Sequence, residues 1–244
     1  MINSILDEFD RKVRQGRAWR SFFRHGWPED AWGRSQAIVS NVFLHLHPVK
    51  LRRHGVKVTY TYCMGGISFF LFLLLTVTGV LLMFYYRPTV QLAYTDMKEL
   101  ETTVNLGMVM RNSHRWAAHG MVITVFLHMI RVFSTGSYRP PREFNWVVGV
   151  VLLFFTFLLS FTGYLLPWDQ LSFWAITVGT NMAGYAPLIG SDLRFLLLGA
   201  FEVGANALIR FYTLHVILLP LFAAVFMAVH FWRIRKDGGI SGPL

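Results

Sequence analysis

The chain has 244 residues, of which 54% are hydrophobic, 16% aromatic and only 15% charged, and its formal net charge is +10. This composition is too apolar for an ordinary soluble domain and is typical of a membrane protein. One cysteine excludes an intrachain disulfide, and the lack of C-x-x-C or Cys/His finger spacings excludes a structural zinc site.

Residues 1–58 form a polar, basic extension before the first apolar segment. The extension lacks the short apolar core and small-residue cleavage site of a secretory signal, so insertion is expected to depend on internal segments. Residues 7–32 mix Arg with Trp and Phe, which suits a helix lying in the membrane interface near anionic lipid. A solvated arm that contacts other subunits is the alternative. We interpret the histidines of this extension as surface residues: His25, His45, His47 and His54.

Residues 59–244 are predicted to form an all-α membrane domain, a bundle of four transmembrane helices. Four segments are long and apolar enough to cross roughly 30 Å of hydrocarbon. They cover about residues 60–86, 114–134, 145–166 and 210–233.

The basic residues predict the orientation of these spans. The N-terminal extension, the second connection and the C-terminal tail hold 17 basic and 7 acidic residues, whereas the other two connections with adjoining span ends hold 6 and 6. By the positive-inside rule, both termini lie on the cytoplasmic or stromal side. Because the excess charge follows topology rather than one groove, a nucleic-acid partner is not expected.

The second and fourth spans each contain two histidines at nearly the same spacing. His114 and His128 are fourteen residues apart, and His215 and His230 are fifteen apart. In a helix each pair lies on roughly one stripe, about 21–22 Å apart along the axis, so each helix has one histidine near each membrane surface. If the helices face each other, His114 meets His215 on the outer side and His128 meets His230 on the inner side.

Two imidazoles from facing helices can bind both axial positions of one haem iron in the core of a bundle. Full axial coordination leaves no open position for oxygen or substrate, so the pairs favour electron transfer. The alternative is that they are core histidines or parts of a proton relay in a channel or transporter. His119 lies on a different face of the second span and is assigned no ligand role.

The first and third spans carry glycines at the same fourteen-residue spacing: Gly65 and Gly79, and Gly149 and Gly163. A helix position without a β-carbon lets a flat, bulky group approach the backbone, despite a cost of about 1 kcal/mol relative to Ala. Close packing of helices through small residues is the alternative. The spacing shared with the histidines favours haem edges at two depths.

Basic residues lie close to three of the four candidate ligands. Haem propionates are carboxylates that need pairing near a low-dielectric region, although arginines at span ends also snorkel to the interface and set topology. Either role suits these residues, which are Arg111 before His114, Arg131 after His128, and Arg235 with Lys236 after His230.

A connection of more than forty residues joins the third and fourth spans. It begins at Pro167 and is apolar in patches but broken by Gly, Pro and Asn. A connection of this length usually carries a functional surface rather than a plain turn.

Several motifs give this chain a strong resemblance to the cytochrome b family, and in particular to its split, four-helix b6 branch. They are RNSHRW at 111–116, HMIRVF at 128–133, RPPREFNWVVGVV at 139–151, FTGYLLPWDQ at 161–170, RFYTLHVILLPL at 210–221 and the terminal HFWRIRKDGGISGPL. The resemblance covers roughly residues 55–244. The separation of His215 and His230, the ending GPL and the presence of Cys63 favour the split branch.

The resemblance implies the core subunit of a quinol:cytochrome c or plastocyanin oxidoreductase, a cytochrome bc/b6f complex of respiration or photosynthesis. Quinol oxidised on the outer side would send one electron to a Rieske iron–sulfur protein and the other inward through two b haems, coupled to proton translocation. By position, the resemblance implies that His114 and His215 bind the outer, low-potential haem and that His128 and His230 bind the inner, high-potential haem. The implied border of the quinol pocket is Pro167, Trp168, Asp169, Ala175 and Val178.

The implied partners are a separate subunit IV-like chain that completes the quinol site, the Rieske protein, a c-type cytochrome and membrane lipid. They would form a dimeric complex in a bacterial cytoplasmic or thylakoid membrane. The chain itself has no nucleotide-binding fingerprint and no iron–sulfur ligands, so activity is expected only in a complex. The alternative is a di-haem membrane anchor of another quinone-linked dehydrogenase, against which the PWDQ connection, the GPL ending and the four glycines argue.

Cys63 receives a specific role from the resemblance. From the sequence alone, a cysteine in a membrane segment is most often a small apolar residue. The b6 branch implies instead that Cys63 holds a third haem, a covalently attached haem c beside the inner quinone site. One departure concerns the tail, where Asp237 and an extra Gly238 precede the family's Gly-Ile-Ser-Gly-Pro-Leu ending, which leaves the contact of the tail with that site open.

Overall fold

The computed structural model describes residues 2–16, 19, 30–40 and 52–241, and these residues contain helices but no strand. Two helices, α1 (Ile2–Gln15) and α2 (Ala31–Ser40), belong to the N-terminal extension. In α1 the pair Glu8 and Lys12, one turn apart, forms an exposed ion pair of 2.9 Å. The predicted surface histidines His25, His45 and His47 and the terminal GPL lie outside the described residues.

The apolar part of the chain folds into four long helices joined by shorter ones. In chain order the elements are α3 (Val58–Thr61), α4 (Met64–Met83), α5 (Ala93–Thr102), α6 (Gly107–Ser134), α7 (Glu143–Leu165), α8 (Gln170–Gly184), α9 (Gly190–Leu198), α10 (Ala205–Thr213), a π-helical segment (Leu214–Leu218) and α11 (Leu219–Lys236). The last three form one 32-residue rod, which we call the fourth span. Within the described part, α4, α6, α7 and the fourth span are the helices long and apolar enough to cross a membrane, which confirms the predicted fold class.

The outward-facing surfaces of these helices are apolar and exposed. Phe70, Val77, Phe154 and Val225 all point away from the bundle, and each is more than half exposed. Helices that are apolar on all sides need an apolar environment, and a helix satisfies its own backbone hydrogen bonds in hydrocarbon. The chain is therefore an integral membrane protein.

The four helices associate as two neighbouring pairs, with α4 along α6 and α7 along the fourth span. The hydroxyl of Ser68 donates to that of Thr124 at 3.0 Å between α4 and α6. Phe155 stacks on Phe222, with ring centres 6.3 Å apart, between α7 and the fourth span. The backbones of α6 and the fourth span, which carry the histidines, stay apart along most of their length.

We name the ends of the bundle after the predicted topology. The outer end holds the connections 84–106 and 166–204, and the inner end holds Cys63 and the connection 135–142. Two helices of the outer end, α8 and α9, occupy the long connection after Pro167. They are anchored there by a buried cluster of Leu165, Ile176, Leu198, Ala207 and Phe211.

Several helix ends differ from those predicted from hydropathy, and the starts of the first two membrane helices show why. The first membrane helix begins at Met64 rather than at residue 60, because Tyr62 and Cys63 adopt positive φ angles of 49° and 53° that interrupt the helix. The second begins at Gly107 rather than at residue 114. Its polar first turns, which include Arg111, extend beyond the apolar segment that hydropathy detects.

A π-helical segment interrupts the fourth span just before Pro220. Proline lacks a backbone N–H, and its ring crowds the carbonyl four residues earlier, which here belongs to Val216. A wider turn accommodates the ring, and such turns occur frequently at functional sites. His215 lies within this segment.

Candidate functional site

The four predicted ligand histidines meet in two pairs inside the bundle. At the outer end, the ring centres of His114 and His215 are 6.3 Å apart and the rings are inclined by 74°. At the inner end, those of His128 and His230 are 6.5 Å apart with an inclination of 79°. The structure thus brings together the two pairs that the sequence spacing predicts.

The separation of the rings fits a metal ion between them. Bonds of about 2 Å from a metal to imidazole nitrogens put the centres of two opposed rings roughly 6 Å apart. In the described part of the chain, no group of three or more His, Cys, Asp or Glu side chains could hold a metal. Each pair therefore suits a metal whose other ligands come from a cofactor, as in haem, and the gap between α6 and the fourth span suits a flat macrocycle.

Two threonines orient the rings of the outer pair. The hydroxyl oxygen of Thr78 lies 2.8 Å from Nδ1 of His114, and that of Thr162 lies 3.1 Å from Nδ1 of His215. Both hydroxyls donate to a carbonyl of their own helix, at 2.7 Å and 2.8 Å respectively. The threonine oxygens therefore accept from Nδ1–H, which leaves Nε2 of each ring without a proton and available to a metal.

The sequence prediction missed these threonines, although the sequence does carry a signal for them. Each threonine directly precedes one of the predicted glycines, as Thr78–Gly79 in α4 and Thr162–Gly163 in α7. The repeated dipeptide places a hydroxyl next to the position where a ring approaches the backbone.

Each of the four predicted glycines lies against one histidine ring. A β-carbon at Gly79 or Gly163 would crowd the ring edge, whereas at Gly65 or Gly149 it would make ordinary contact with the ring, so the two outer glycines leave room for the imidazoles themselves. The distances from such a β-carbon to the ring Cε1 are 3.3 Å for Gly79 with His114, 2.6 Å for Gly163 with His215, 3.4 Å for Gly65 with His128 and 3.8 Å for Gly149 with His230.

A cavity lies beside the inner histidine pair, between the connection 135–142 and the tail residues 239–241. Arg131, Arg142 and Asn145 line it. The buried Nε atoms of both arginines and Oδ1 of Asn145 have no hydrogen-bond partner among the described residues. Such orphaned atoms are rare in native structures, and two guanidinium groups suit a carboxylate such as a haem propionate.

Only one of the predicted propionate partners, Arg131, lines this cavity. Arg111 lies at the outer end, where it forms an ion pair with Glu101. Arg235 lies in the last turn of α11 and is not among the residues that line the cavity. Arg142 and Asn145 were missed, although both belong to the RPPREFNW motif.

The extra residues of the tail form a compact turn. The carboxylate of Asp237 forms an ion pair with Arg233, with 2.8 Å between Oδ1 and Nη2. Gly238 adopts a φ of 85°, which other residues rarely adopt. The turn sends the tail back across the inner end, where Ser241 contacts the hydroxyl of Ser137.

Cys63 lies exposed at the inner end, directly before α4. Its backbone N–H donates to the hydroxyl of Thr61 at 3.2 Å. Gly65, two residues further on, faces His128, so Cys63 lies near the level of the inner pair. The thiol is therefore accessible to a modifying group at that level.

The predicted quinol-site border follows the end of α7. Trp168 has a φ of 53°, and the carboxylate of Asp169 caps α8 by accepting from the backbone N–H of Ser172 at 2.8 Å. Ala175 packs against the buried outer cluster, whereas Val178 is 56% exposed on another face of α8. Pro167 directly precedes this segment.

Comparisons with known proteins agree on one family. Residues 50–238 match the family model described as Cytochrome b/b6/petB. The chain is 49% identical to the cytochrome b6 of Auxenochlorella protothecoides and 48% identical to that of Porphyra purpurea, each over 183 residues that cover 75% of this chain and 85% of the relative. A solved structure titled Hyperthermophilic respiratory Complex III is similar with 28% identity and a TM-score of 0.70 over 75% of this chain. The match covers 49% of that structure's chain, so this chain spans about half its length.

Proposed function

This chain belongs to the cytochrome b/b6 family, and from this premise we propose that it holds one b haem between His114 and His215 and another between His128 and His230. It is an electron-transfer subunit of the cytochrome bc/b6f type. The observation that carries the haem assignment is the spacing of the two ring pairs, 6.3 Å and 6.5 Å between centres.

Haem b bound at the two pairs supplies a one-electron carrier near each membrane surface. The four histidines would supply two imidazole ligands to each haem iron, so that neither oxygen nor substrate would bind there. Thr78 and Thr162 hold the Nδ1 protons of the outer pair and so fix the orientation of both rings. Arg131 and Arg142 pair with propionates of the inner haem, a role supported by their buried, unpaired Nε atoms.

We further propose quinol as the electron donor at the outer end. Its oxidation there would release two protons and two electrons. A Rieske iron–sulfur protein would take one electron, and this chain would accept the other at the end that holds His114 and His215. Pro167, Trp168, Asp169, Ala175 and Val178 border the quinol pocket, and a subunit IV-like chain completes it. The Asp169 cap, which fixes the start of α8 directly after this turn, supports a rigid wall at that place.

Replacing one outer histidine tests the haem assignment. We expect His114→Leu to contain one b haem per chain instead of two, because Leu supplies no axial nitrogen. The readout is a pyridine haemochrome assay on the purified complex together with its reduced spectrum. His119→Leu is the matched control, since His119 is exposed on the same helix and should leave both haems in place. Retention of two b haems in His114→Leu would refute the ligand pair.

Cys63 is proposed to carry a covalent haem c at the inner end. Its exposed thiol can add to a haem vinyl group to form a thioether, and no adjacent histidine is present to ligate that iron. The intact mass of the chain should therefore include one haem, and the chain should stain for haem after denaturing electrophoresis. Cys63→Ala should lose both signals but keep the two b haems. Haem staining that persists in Cys63→Ala would exclude the thioether.

A further inference from the structure

We propose that Glu101 is a positioning residue that keeps the guanidinium of Arg111 directed toward α5, compensates its charge and so lowers the reduction potential of the outer haem. The inference rests on the proposed haem between His114 and His215. It assigns a function to an ion pair that links α5 to the first turns of α6.

The packing of α5 against α6 fixes this ion pair in place. Leu100, the residue before Glu101, is fully buried. A β-carbon at Gly107, the first residue of α6, would overlap the carbonyl of Leu100, so the two helix ends are in direct backbone contact. Between them, Leu106 adopts a φ of 60° and closes the turn. Glu101 is thereby presented to α6 from a rigid neighbouring element.

The partner of Glu101 is close to the proposed iron ligand. Nη1 of Arg111 contacts Oε1 of Glu101, and each side chain is only 28% exposed. Arg111 precedes His114 by three residues, so the two side chains lie on one helix face with β-carbons roughly 5–6 Å apart. Partial burial weakens solvent screening, and charges at this range influence a redox centre.

The sign of the effect follows from electrostatics. Reduction adds an electron to the haem, so a nearby positive charge favours the reduced state and a nearby negative charge opposes it. Glu101 compensates the charge of Arg111 and keeps its guanidinium directed toward α5. Both effects lower the potential of the outer haem relative to the inner one, which favours electron transfer from the outer to the inner end.

A second glutamate on the same helix provides a matched control. Glu99 carries the same charge as Glu101, two residues away, but lines a different cavity together with Arg87 and Asp96. Glu99→Gln therefore removes one negative charge from α5 without removing the partner of Arg111. A general charge effect would act in both variants, whereas a positioning effect requires Glu101.

The test is a spectroelectrochemical titration of the purified complex. In Glu101→Gln we expect a higher midpoint potential of the outer haem, an unchanged inner haem, and an equilibrium for electron sharing between them shifted roughly threefold or more toward the outer haem. Glu99→Gln should shift this equilibrium less. Glu101→Asp, which keeps the charge but has a shorter reach, should lie between wild type and Glu101→Gln. The titrating haem signal that is present in wild type and absent from His114→Leu belongs to the outer haem.

Three results would overturn the proposal: no shift in Glu101→Gln, a fall in the outer potential, or an equal shift in Glu99→Gln. If Glu101→Gln fails to incorporate both haems, the titration of Glu101→Asp replaces it as the test. An outer-haem potential in Glu101→Asp equal to that of wild type would then count against positioning. A wild-type complex that lacks two titrating b haems would instead refute the proposed function. The two failures are therefore distinguishable.

Discussion

At the scale of single residues, the outer site repeats one small unit, in which a Thr–Gly dipeptide of one helix faces a histidine of another. Thr78–Gly79 serves His114, and Thr162–Gly163 serves His215. The hydroxyl fixes the tautomer of the ring, and the glycine lets the ring approach the backbone. Histidine spacing together with the predicted topology indicates which rings pair, because helical periodicity converts sequence separation into a common face and both histidine-bearing spans begin at the same end. It could not predict the threonines, since Thr is common in membrane helices and its partner lies 36 or 53 residues away.

Gly163 is the position where this unit is most sensitive to a side chain. A β-carbon there would lie 2.6 Å from Cε1 of His215, so the larger side chain in Gly163→Val must displace the ring. We expect the purified variant to contain about one b haem per chain, measured by pyridine haemochrome. Gly66→Val is the control, because nothing lies within 4 Å of a β-carbon at Gly66. Two b haems with an unchanged spectrum in Gly163→Val would mean that Gly163 serves helix packing alone.

At the scale of secondary-structure elements, hydropathy predicted the four spans, but local backbone breaks were not visible in it. Tyr62 and Cys63 adopt left-handed φ angles and interrupt the first span, and neither is a Gly or Pro that would indicate a break. The π-helical turn at His215 has a partial signal in Pro220, although proline predicts a kink as readily as a wider turn. Hydropathy did not detect α8 and α9, because Gly, Pro and Asn break the periodicity of their connection.

The junction between α4 and α5 depends on a buried carboxylate. Asp96 is 2% exposed and accepts from Nη2 of Arg87 at 2.5 Å and from its backbone N–H at 2.8 Å. The hydrogen bonds and charge of Arg87 hold the pKa of the Asp96 carboxyl below its ordinary value. Because the folded-state pKa is the lower one, this pair stabilises the fold above the ordinary pKa of about 4, and the effect is lost as pH falls through the folded-state value.

Asp96→Asn should therefore unfold at a lower temperature than wild type at pH 7, measured by thermal denaturation of the purified complex. The difference should narrow as the pH is lowered below about 4, because wild type then loses the same charge. Asp192→Asn is the control for net charge, since Asp192 is exposed on α9 and should have little effect on the denaturation temperature. A difference between wild type and Asp96→Asn that does not change with pH would argue against the ion pair as its source.

At the scale of the whole molecule, the two ends of the bundle differ in the side chains that they carry. The inner end holds the exposed Cys63 and the cavity with Arg131 and Arg142, and the sequence assigns the basic excess to this predicted side. The outer end holds balanced charge, the Asp169 cap and the apolar cluster under α8 and α9. The sequence predicted this polarity because charges near membrane spans follow the positive-inside rule. The sequence could not predict where the tail lies, because the contact of Ser241 with Ser137 depends on the turn at Gly238.

The predicted orientation can be measured with single cysteines in a Cys63→Ser background. Leu188, fully exposed between α8 and α9, marks the outer end, and Gln36, exposed on α2, marks the N-terminal side. In sealed right-side-out vesicles, a membrane-impermeant maleimide should label Leu188→Cys directly and Gln36→Cys only after permeabilisation. This pattern is expected because moving the basic excess of the inner end across the membrane opposes the potential and the insertion bias. The reverse pattern would place quinol oxidation on the cytoplasmic or stromal side and would contradict the proposed direction of electron transfer from His114 and His215 to His128 and His230.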